Sequence, residues 1–181
     1  GITRDDVEIY RTVIYPFAGA VAQTWRKGRV LLAGDAAHIM TPFLGQGACS
    51  GLRDSANLAW KLHLVLEGIC SPDLLDTYES ERRAHVTMTV AASDALGAMA
   101  CEPDPEKAAE RDDFLINGPG FPPPPVPRLA EGIVAEKDAH RPDLAGTLAP
   151  NGALDDGTKT GLADDLLGWG FHLLVRDHAP N

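Results

Sequence analysis

The stretch that decides the fold runs from Gly28 to His38 and reads GRVLLAGDAAH. Its apolar run, Val30 to Ala33, is typical of a short strand that is buried on both faces. Gly34 has no Cβ, so the backbone can approach a neighbouring segment closely at this point. Asp35 follows at the carboxyl end of the strand, where ligands of α/β folds usually bind. The stretch therefore predicts a strand that presents one carboxylate to a ligand, and a carboxylate accepts strong hydrogen bonds from hydroxyl groups.

A proline- and glycine-containing loop and a helix come next. Residues 41–47 read TPFLGQG, and the apolar spacing from Ala48 to Glu67 predicts a helix. Because the helix is apolar on most sides, we expect it to be buried. Its first N–H groups have no intrahelical acceptor and lie at the positive end of the helix dipole, so they favour an anion. Two apolar faces are predicted, one of Leu52, Ala56, Ala59, His63 and Leu66, and one of Leu58, Leu62 and Val65.

These motifs together resemble the second flavin-contacting motif of the FAD-dependent aromatic hydroxylases, the flavoprotein monooxygenases of the para-hydroxybenzoate hydroxylase type. The resemblance rests on GDAAH at 34–38, Pro42, GQG at 45–47 and DSANLAWKL at 54–62, and it is dense from Arg29 to Gly68. A Gly-x-Gly-x-x-Gly dinucleotide fingerprint is absent from the sequence. The resemblance implies an α/β fold, the carboxyl-terminal part of an FAD/NAD(P)-binding Rossmann-like monooxygenase, with hydroxyphenylpropionate and resorcinol hydroxylases as the nearest types.

The resemblance also implies a set of cofactor-binding residues. Gly34 belongs to this set, Asp35 would bond the ribityl chain, and Pro42 would lie beside the flavin ring near the substrate. The backbone around the polar edge of the ring would come from Gly45, Gln46, Gly47, Ala48 and Cys49. Many relatives have Asn at the position of Cys49, so we expect a side-chain amide contact to be missing here.

Further residues near the motif have more than one interpretation. Tyr10 lies on the strand-like run Val7–Tyr10, and Tyr15 and Phe17 lie on the run Val13–Phe17. All three could approach an aromatic substrate or simply pack in a sheet. His38 fits a catalytic role and a buried structural role equally well.

The polar residues of the two helices are expected to be structural. Asp54 is expected to serve the helix dipole, and Asn57 and Lys61 to bond neighbouring segments. Ser71-Pro72 predicts the start of a second helix that reaches Ala100. On that helix Glu79 and Arg83, and likewise Glu81 and His85, are spaced for i,i+4 pairs.

Composition restricts the class of protein. The 181 residues are 44% hydrophobic and carry a net charge of −10, which argues against nucleic acid and anionic membrane surfaces as partners. We expect no membrane span, because no apolar run approaches the roughly 18–20 residues that a span needs. Cys49, Cys70 and Cys101 lack metal-ligand spacing, so no metal site and no disulfide framework is predicted, and a cytoplasmic location follows. The absence of a signal sequence and of an initial Met is expected of an internal fragment.

Three parts are predicted along the chain. Residues 1–117 form the carboxyl-terminal part of the FAD-binding and substrate domain, ending in a polar stretch from Cys101 to Asn117. Residues 118–127 form a Pro-rich linker, although the same run could be an SH3-type ligand. Residues 128–181 resemble the start of a truncated thioredoxin-like domain, with a short helix, a glycine turn and a buried strand between Gly161 and Val175. A Cys-x-x-Cys motif is absent, so thioredoxin chemistry is not implied.

The function implied by the resemblance belongs to a larger enzyme. FAD is reduced by NADH or NADPH, and a flavin C4a-hydroperoxide formed from O2 hydroxylates a phenolic ring. The expected partners are therefore a small phenolic substrate and O2, with a homodimer compatible with the resemblance. No catalytic residue of the chain is identified, and the fragment alone is expected to be inactive. Two alternatives stay open: a non-catalytic fragment or interaction module, and a flavoenzyme that oxidises or epoxidises a polyketide-type ring.

Overall fold

A computed structural model describes residues 3, 6–120, 123, 126–134, 145–149, 151–155, 157–168 and 170–172. Its chain divides into two compact units, Gly1–Gly146 and Thr147–Asn181. The described residues mix helices and short strands, as the α/β prediction requires. None of the helices in these ranges is long and apolar enough to cross a membrane.

The strands of the first unit are short and antiparallel. Strand β1 (Ala20–Val21) pairs with β4 (His38–Ile39), and β2 (Arg26–Lys27) pairs with β3 (Val30–Leu31). The β2–β3 turn passes through Gly28, whose φ of 61° lies in the left-handed region that glycine tolerates best.

The predicted strands are only partly confirmed. The prediction of a buried strand from Val30 to Ala33 is wrong in length and in burial. Strand β3 ends at Leu31, and Val30 is 65% exposed. The described parts of Val7–Tyr10 and Val13–Phe17 form no strand and are exposed. A strand is stable only when another strand pairs with it, and none of the described strands pairs with these two runs.

Two long helices form the framework of the first unit. Helix α1 spans Gly47–Leu66 and helix α2 spans Asp76–Ala100, so both helix predictions are confirmed. A 3-10 turn, Pro72–Leu75, leads into α2, and the Ser71 hydroxyl caps it by accepting the Asp73 N–H at 3.3 Å.

The expected burial of α1 on most sides is wrong. Leu58 is buried and Leu62 and Val65 pack against the core, but Leu52 and Leu66 on the other predicted face are 70% and 79% exposed. The described residues thus cover one face of α1 and leave Leu52 and Leu66 on the other face exposed.

A third helix, α3, spans Pro105–Asn117 in the stretch that was expected only to be polar. The Asp104 side chain caps it by accepting the N–H groups of Glu106 and Lys107 at 2.9 and 3.4 Å. An aspartate followed by proline at the first helical position is a helix-start signal, so the sequence already contained this information.

The core of the first unit surrounds two aromatic rings. Trp25 and Tyr78 are fully buried with ring centroids 5.5 Å apart, and Val86 and Leu58 are buried in the same cluster. The Tyr78 hydroxyl donates to the Leu32 carbonyl at 2.9 Å. Burial raises the pKa of Tyr78 well above its ordinary value, so the hydroxyl stays a donor at neutral pH. This bond fixes the chain just before Gly34 against α2.

The second unit contains a β-hairpin and a short helix. Strands β5 (Ala153–Asp155) and β6 (Thr160–Leu162) pair antiparallel, and helix α4 (Ala163–Leu167) follows directly. The predicted short helix and its glycine end, Gly168 with φ of 71°, are confirmed. The predicted strand at 173–175 lies outside the described residues, as do positions 121, 122, 124 and 125 of the linker. The thioredoxin-like identity and the boundaries at 117 and 127 stay predictions.

Candidate functional site

A pocket of about 550 Å³ lies where the segment before β1, the turn after β3 and the start of α1 meet. It gathers most of the residues that the sequence singled out, including Asp35 and Pro42 as well as the aromatic rings. The lining residues are Tyr15, Pro16, Phe17, Ala18, Asp35, Ile39, Met40, Thr41, Pro42, Gly45, Gly47 and Ala48. Three candidates lie outside this wall. Gly34 bonds the helix behind it, the Gln46 side chain accepts from Arg53 at 3.1 Å, and Cys49 is exposed.

Asp35 brings a carboxylate to this pocket that is not used by the fold. It lies in a 3-10 turn, Gly34–Ala36, which the Ala37 N–H closes by donating to the Gly34 carbonyl at 2.9 Å. Asp35 is exposed and makes no hydrogen bond or ion pair with any other residue that the structure describes. Both of its oxygens are therefore available to accept hydrogen bonds from a ligand.

The start of α1 brings backbone donors to the same pocket. Gln46 is the N-cap, its side chain makes no capping bond, and the first turn holds no acidic residue. The first helical bond runs from the Ser50 N–H to the Gln46 carbonyl at 2.8 Å. The N–H groups of Gly47, Ala48 and Cys49 precede it and have no acceptor within the described ranges. These donors and the helix dipole would stabilise negative charge in the pocket.

Asp54 holds the segments behind the pocket together. This carboxylate is fully buried and accepts the Gly34 N–H at 3.0 Å and the Arg82 Nε–H at 2.8 Å, while His38 Nε2 lies 2.6 Å away. It thereby links the turn that carries Asp35, strand β4, α1 and α2. The expectation that Asp54 serves the helix dipole is wrong, because its side chain is committed to these three partners beyond the first turn.

The charge of Asp54 is stabilised by its partners. Burial by itself raises the pKa of Asp54, but the hydrogen bonds from His38, Arg82 and the Gly34 N–H outweigh burial, and the pKa lies below its usual value. Asp54 is therefore ionised at neutral pH and offsets the buried guanidinium of Arg82.

A close approach of two glycines brings the Asp35 turn onto α1. A Cβ at Gly51 would lie 3.4 Å from the Gly34 Cα, at the short end of van der Waals contact, and Gly34 has a φ of 57°. The predicted close approach of Gly34 is confirmed. It places the carboxylate of Asp35 and the donors of α1 on the same pocket.

His38 belongs to the core behind the pocket. It is 3% exposed, its ring lies 5.5 Å from Trp25, and it is not one of the pocket's lining residues. Of the two interpretations left open by the sequence, the structure supports the structural one. Trp25 was missed at the sequence level, although large aromatic residues are highly buried on average.

A second buried polar cluster connects α1 and α2 further along. The Glu81 carboxylate accepts from Lys61 Nζ at 2.6 Å, from Asn57 Nδ2 at 2.6 Å and from the Ile133 N–H at 2.9 Å. Burial opposes the charge of Glu81, but these donors outweigh it, so the pKa of Glu81 is below its ordinary value. The expectation that Asn57 and Lys61 bond neighbouring segments is confirmed.

Two further observations concern charged and sulfur side chains. The predicted pair of Arg83 with Glu79 is present at 3.1 Å. In the part of the chain that the structure describes, no group of three or more His, Cys, Asp or Glu side chains is arranged to hold a metal ion, and the three cysteines are free.

Comparison with known proteins gives consistent results. Residues 1–93 match the family described as FAD binding domain. A probable NADH-specific resorcinol 4-hydroxylase of Rhodococcus jostii (strain RHA1) is 39% identical over 97% of this chain and 32% of its own length. A 3-(3-hydroxy-phenyl)propionate/3-hydroxycinnamic acid hydroxylase of Escherichia coli (strain SMS-3-5 / SECEC) is 38% identical over 94% of this chain and 33% of its own length.

A solved structure resembles the chain as well. The complex of aklavinone-11 hydroxylase with FAD and aklavinone superposes with a TM-score of 0.64 at 27% identity, covering 84% of this chain and 29% of that one. The chain thus spans about a third of the length of the curated relatives that it matches.

Proposed function

The chain belongs to the family of FAD binding domains, and from this premise we propose that it forms part of an FAD-dependent monooxygenase. This enzyme uses NADH or NADPH and O2 to hydroxylate a small phenolic compound. One observation carries the proposal: Asp35, the uncapped start of α1 and an apolar wall with aromatic rings converge on one pocket.

The donor set of this pocket fits a flavin. Asp35 has two acceptor oxygens with no partner among the described residues, which suits the hydroxyls of a ribityl chain. The N–H groups of Gly47 and Ala48, with the helix dipole, suit the electron-rich edge of an isoalloxazine ring, which gains negative charge on reduction. Gly45 has a φ of 62°, and a Cβ there would meet no atom within 4 Å, so this side of the pocket is open for a ring.

The work of this chain in the reaction is positioning and charge stabilisation. When bound, FAD supplies the redox chemistry that passes electrons from the nicotinamide to O2. Asp35 orients the cofactor through its hydroxyls, and the start of α1 stabilises negative charge at the polar edge. Tyr15, Phe17 and Pro42 form an apolar wall against which a phenolic ring would lie. Residues outside these 181 would complete the site, so we expect the chain alone to bind FAD weakly.

The choice of substrate is proposed from the relatives. Resorcinol and 3-(3-hydroxyphenyl)propionate are two of the three phenols in the names of these relatives, the third being 3-hydroxycinnamic acid. Oxidation of a polyketide-type ring is the alternative, and it uses the same cofactor site. In a version of the chain extended at its amino terminus to the length of its relatives, stimulation of NADH oxidation by either phenol supports hydroxylation. NADH oxidation that neither phenol stimulates favours the alternative.

Replacement of Asp35 tests the cofactor site. The extended protein with Asp35→Ala is compared with Asp112→Ala, an exposed carboxylate of α3 whose ion pair is also exposed. Loss of a hydrogen bond to a charged group costs about 1.5–3 kcal/mol, so we expect the dissociation constant for FAD to rise about 10- to 150-fold in the Asp35 variant only. The measurement is quenching of flavin fluorescence on binding. Equal affinities of the two variants would remove Asp35 from the site.

A further inference from the structure

The loop that carries Pro42 is fastened to α2 by one buried serine. Ser93 is fully buried, and its hydroxyl donates to the Thr41 carbonyl at 2.6 Å. The same oxygen accepts from the Thr41 hydroxyl at 2.8 Å and lies 3.4 Å from the Leu44 N–H. One hydroxyl thus engages both ends of the loop and uses its full capacity of one donor and two acceptor sites.

A glycine one turn further along α2 makes room for the same loop. Gly97 lies four residues after Ser93 and therefore on the same face of the helix. The ring of Phe43 occupies the space that a Cβ at Gly97 would fill. Phe43 in turn meets the edge of Phe17 with ring centroids 6.0 Å apart, and Phe17 lies 5.3 Å from Tyr15. The contact between the loop and α2 is therefore continuous with the aromatic wall of the pocket.

The position of Pro42 depends on this contact between the loop and α2. Proline has no N–H to donate. The hydrogen bond that closes the turn around Pro42 joins two residues of the turn, because the Gly45 N–H donates to the Pro42 carbonyl at 2.9 Å. In the ranges that the structure describes, Ser93 is the side chain that bonds the backbone of residues 41–45. A change at Ser93 would therefore move the pocket wall without touching Asp35 or the start of α1.

We propose that Ser93 is a positioning residue that sets the distance between Pro42, in the wall of the pocket, and the aromatic substrate. The proposal rests on the proposed function of the pocket. Its consequence is specific: the fit of the aromatic substrate depends on Ser93, whereas retention of FAD depends on Asp35 and α1.

The first measurement is hydrogen exchange of the Leu44 and Gly45 amides in the chain itself. Ser93→Ala is compared with Ser80→Ala, because Ser80 is also on α2 but donates within the helix, to the Thr77 carbonyl at 3.1 Å. Loss of the buried bonds should speed exchange of the two loop amides about tenfold in Ser93→Ala. Exchange in α3 should be unchanged in both variants. Equal loop exchange in the two variants overturns the proposal.

The second measurement separates substrate fit from cofactor binding in the extended protein. We expect Ser93→Ala to raise the KM for the phenol about tenfold and to leave the dissociation constant for FAD within about threefold of the unchanged protein. A rise in FAD dissociation with unchanged KM, or no change in either, overturns the proposal. If Ser93→Ala does not fold, Ser93→Cys, whose thiol donates and accepts hydrogen bonds only weakly, is measured in its place with the same expectations. An unchanged protein that binds no FAD refutes the proposed function, and this inference with it, even if the loop loosens.

Discussion

Removal of the Asp54 carboxylate should destabilise the first unit far more than removal of an exposed carboxylate in an ion pair of similar length. Asp54 is fully buried and pairs with Arg82 at 2.8 Å, where Arg82 is 5% exposed. Asp76 pairs with Arg26 at 2.6 Å, but the Asp76 side chain is 70% exposed. The two ion pairs have similar N–O distances, but only the Asp54 carboxylate is buried and bonded to further partners, His38 and the Gly34 N–H, so the comparison shows what burial and these bonds add.

The expected magnitude follows from the groups left behind. Asp54→Ala leaves the buried Arg82 guanidinium without its carboxylate and the part-buried Gly34 N–H without its acceptor. Breaking a buried ion pair from one side costs about 3–5 kcal/mol, whereas an exposed pair contributes about 0.2–1 kcal/mol. With a urea slope of about 2 kcal/mol per M, a loss of about 4 kcal/mol lowers the unfolding midpoint by about 2 M. Asp76→Ala should lower it by less than about 0.5 M.

The assay is urea unfolding followed by circular dichroism of the helices. If Asp54→Ala is already unfolded without urea, Asp54→Asn is used, because the amide keeps one acceptor oxygen but loses the charge. We expect its midpoint to lie between those of the unchanged chain and Asp54→Ala. The reasoning is refuted if the Asp54 variants and Asp76→Ala unfold at the same urea concentration.

The other predictions concern pH and helix capping. The pKa values of Asp54 and Glu81 are lowered by folding, so their contribution to stability is complete above the unfolded values of about 3.9 and 4.3 and is lost as pH falls through the lower folded values. The urea concentration at the unfolding midpoint should therefore decrease as the pH is lowered below about 4. The decrease should be less steep in Glu81→Gln, and an identical pH dependence of this variant and the unchanged chain would contradict the prediction. Asp104→Ala removes the cap of α3 and should lower the stability of that helix by about 1 kcal/mol. We expect faster amide hydrogen exchange in residues 105–117 and unchanged exchange in α1. Equal protection of α3 in the variant and the unchanged chain would show that the cap is not used.

The sequence predicts those features of the fold that depend on residues close together in the chain. The start of α1 follows from the glycines of its loop, and the 3-10 turn before α2 follows from the cap at Ser71 and the proline after it. The close approach at Gly34 also follows from its own chemistry, the absence of a Cβ. The Asp104-Pro105 signal at the start of α3 is local in the same way.

Features that depend on distant residues could not be obtained in this way. Asp54 meets His38 and Arg82 across 16 and 28 residues of chain, and the spacing of a single carboxylate on a helix does not reveal such partners. The bond between Ser93 and Thr41 spans 52 residues. The strand predictions at Val7–Tyr10 and Val13–Phe17 were wrong for the same reason, because strand pairing is a long-range property and a strand-like run alone does not provide a partner.

The visible absorption spectrum of the amino-terminally extended protein tests the flavin site most directly. The protein is incubated with FAD, desalted and compared with Asp35→Ala treated in the same way. We expect the bands of oxidised flavin to stay with the unchanged protein after desalting and to be weak or absent in the variant. An extended, folded protein that stays colourless after this treatment would contradict the assignment of the pocket to FAD.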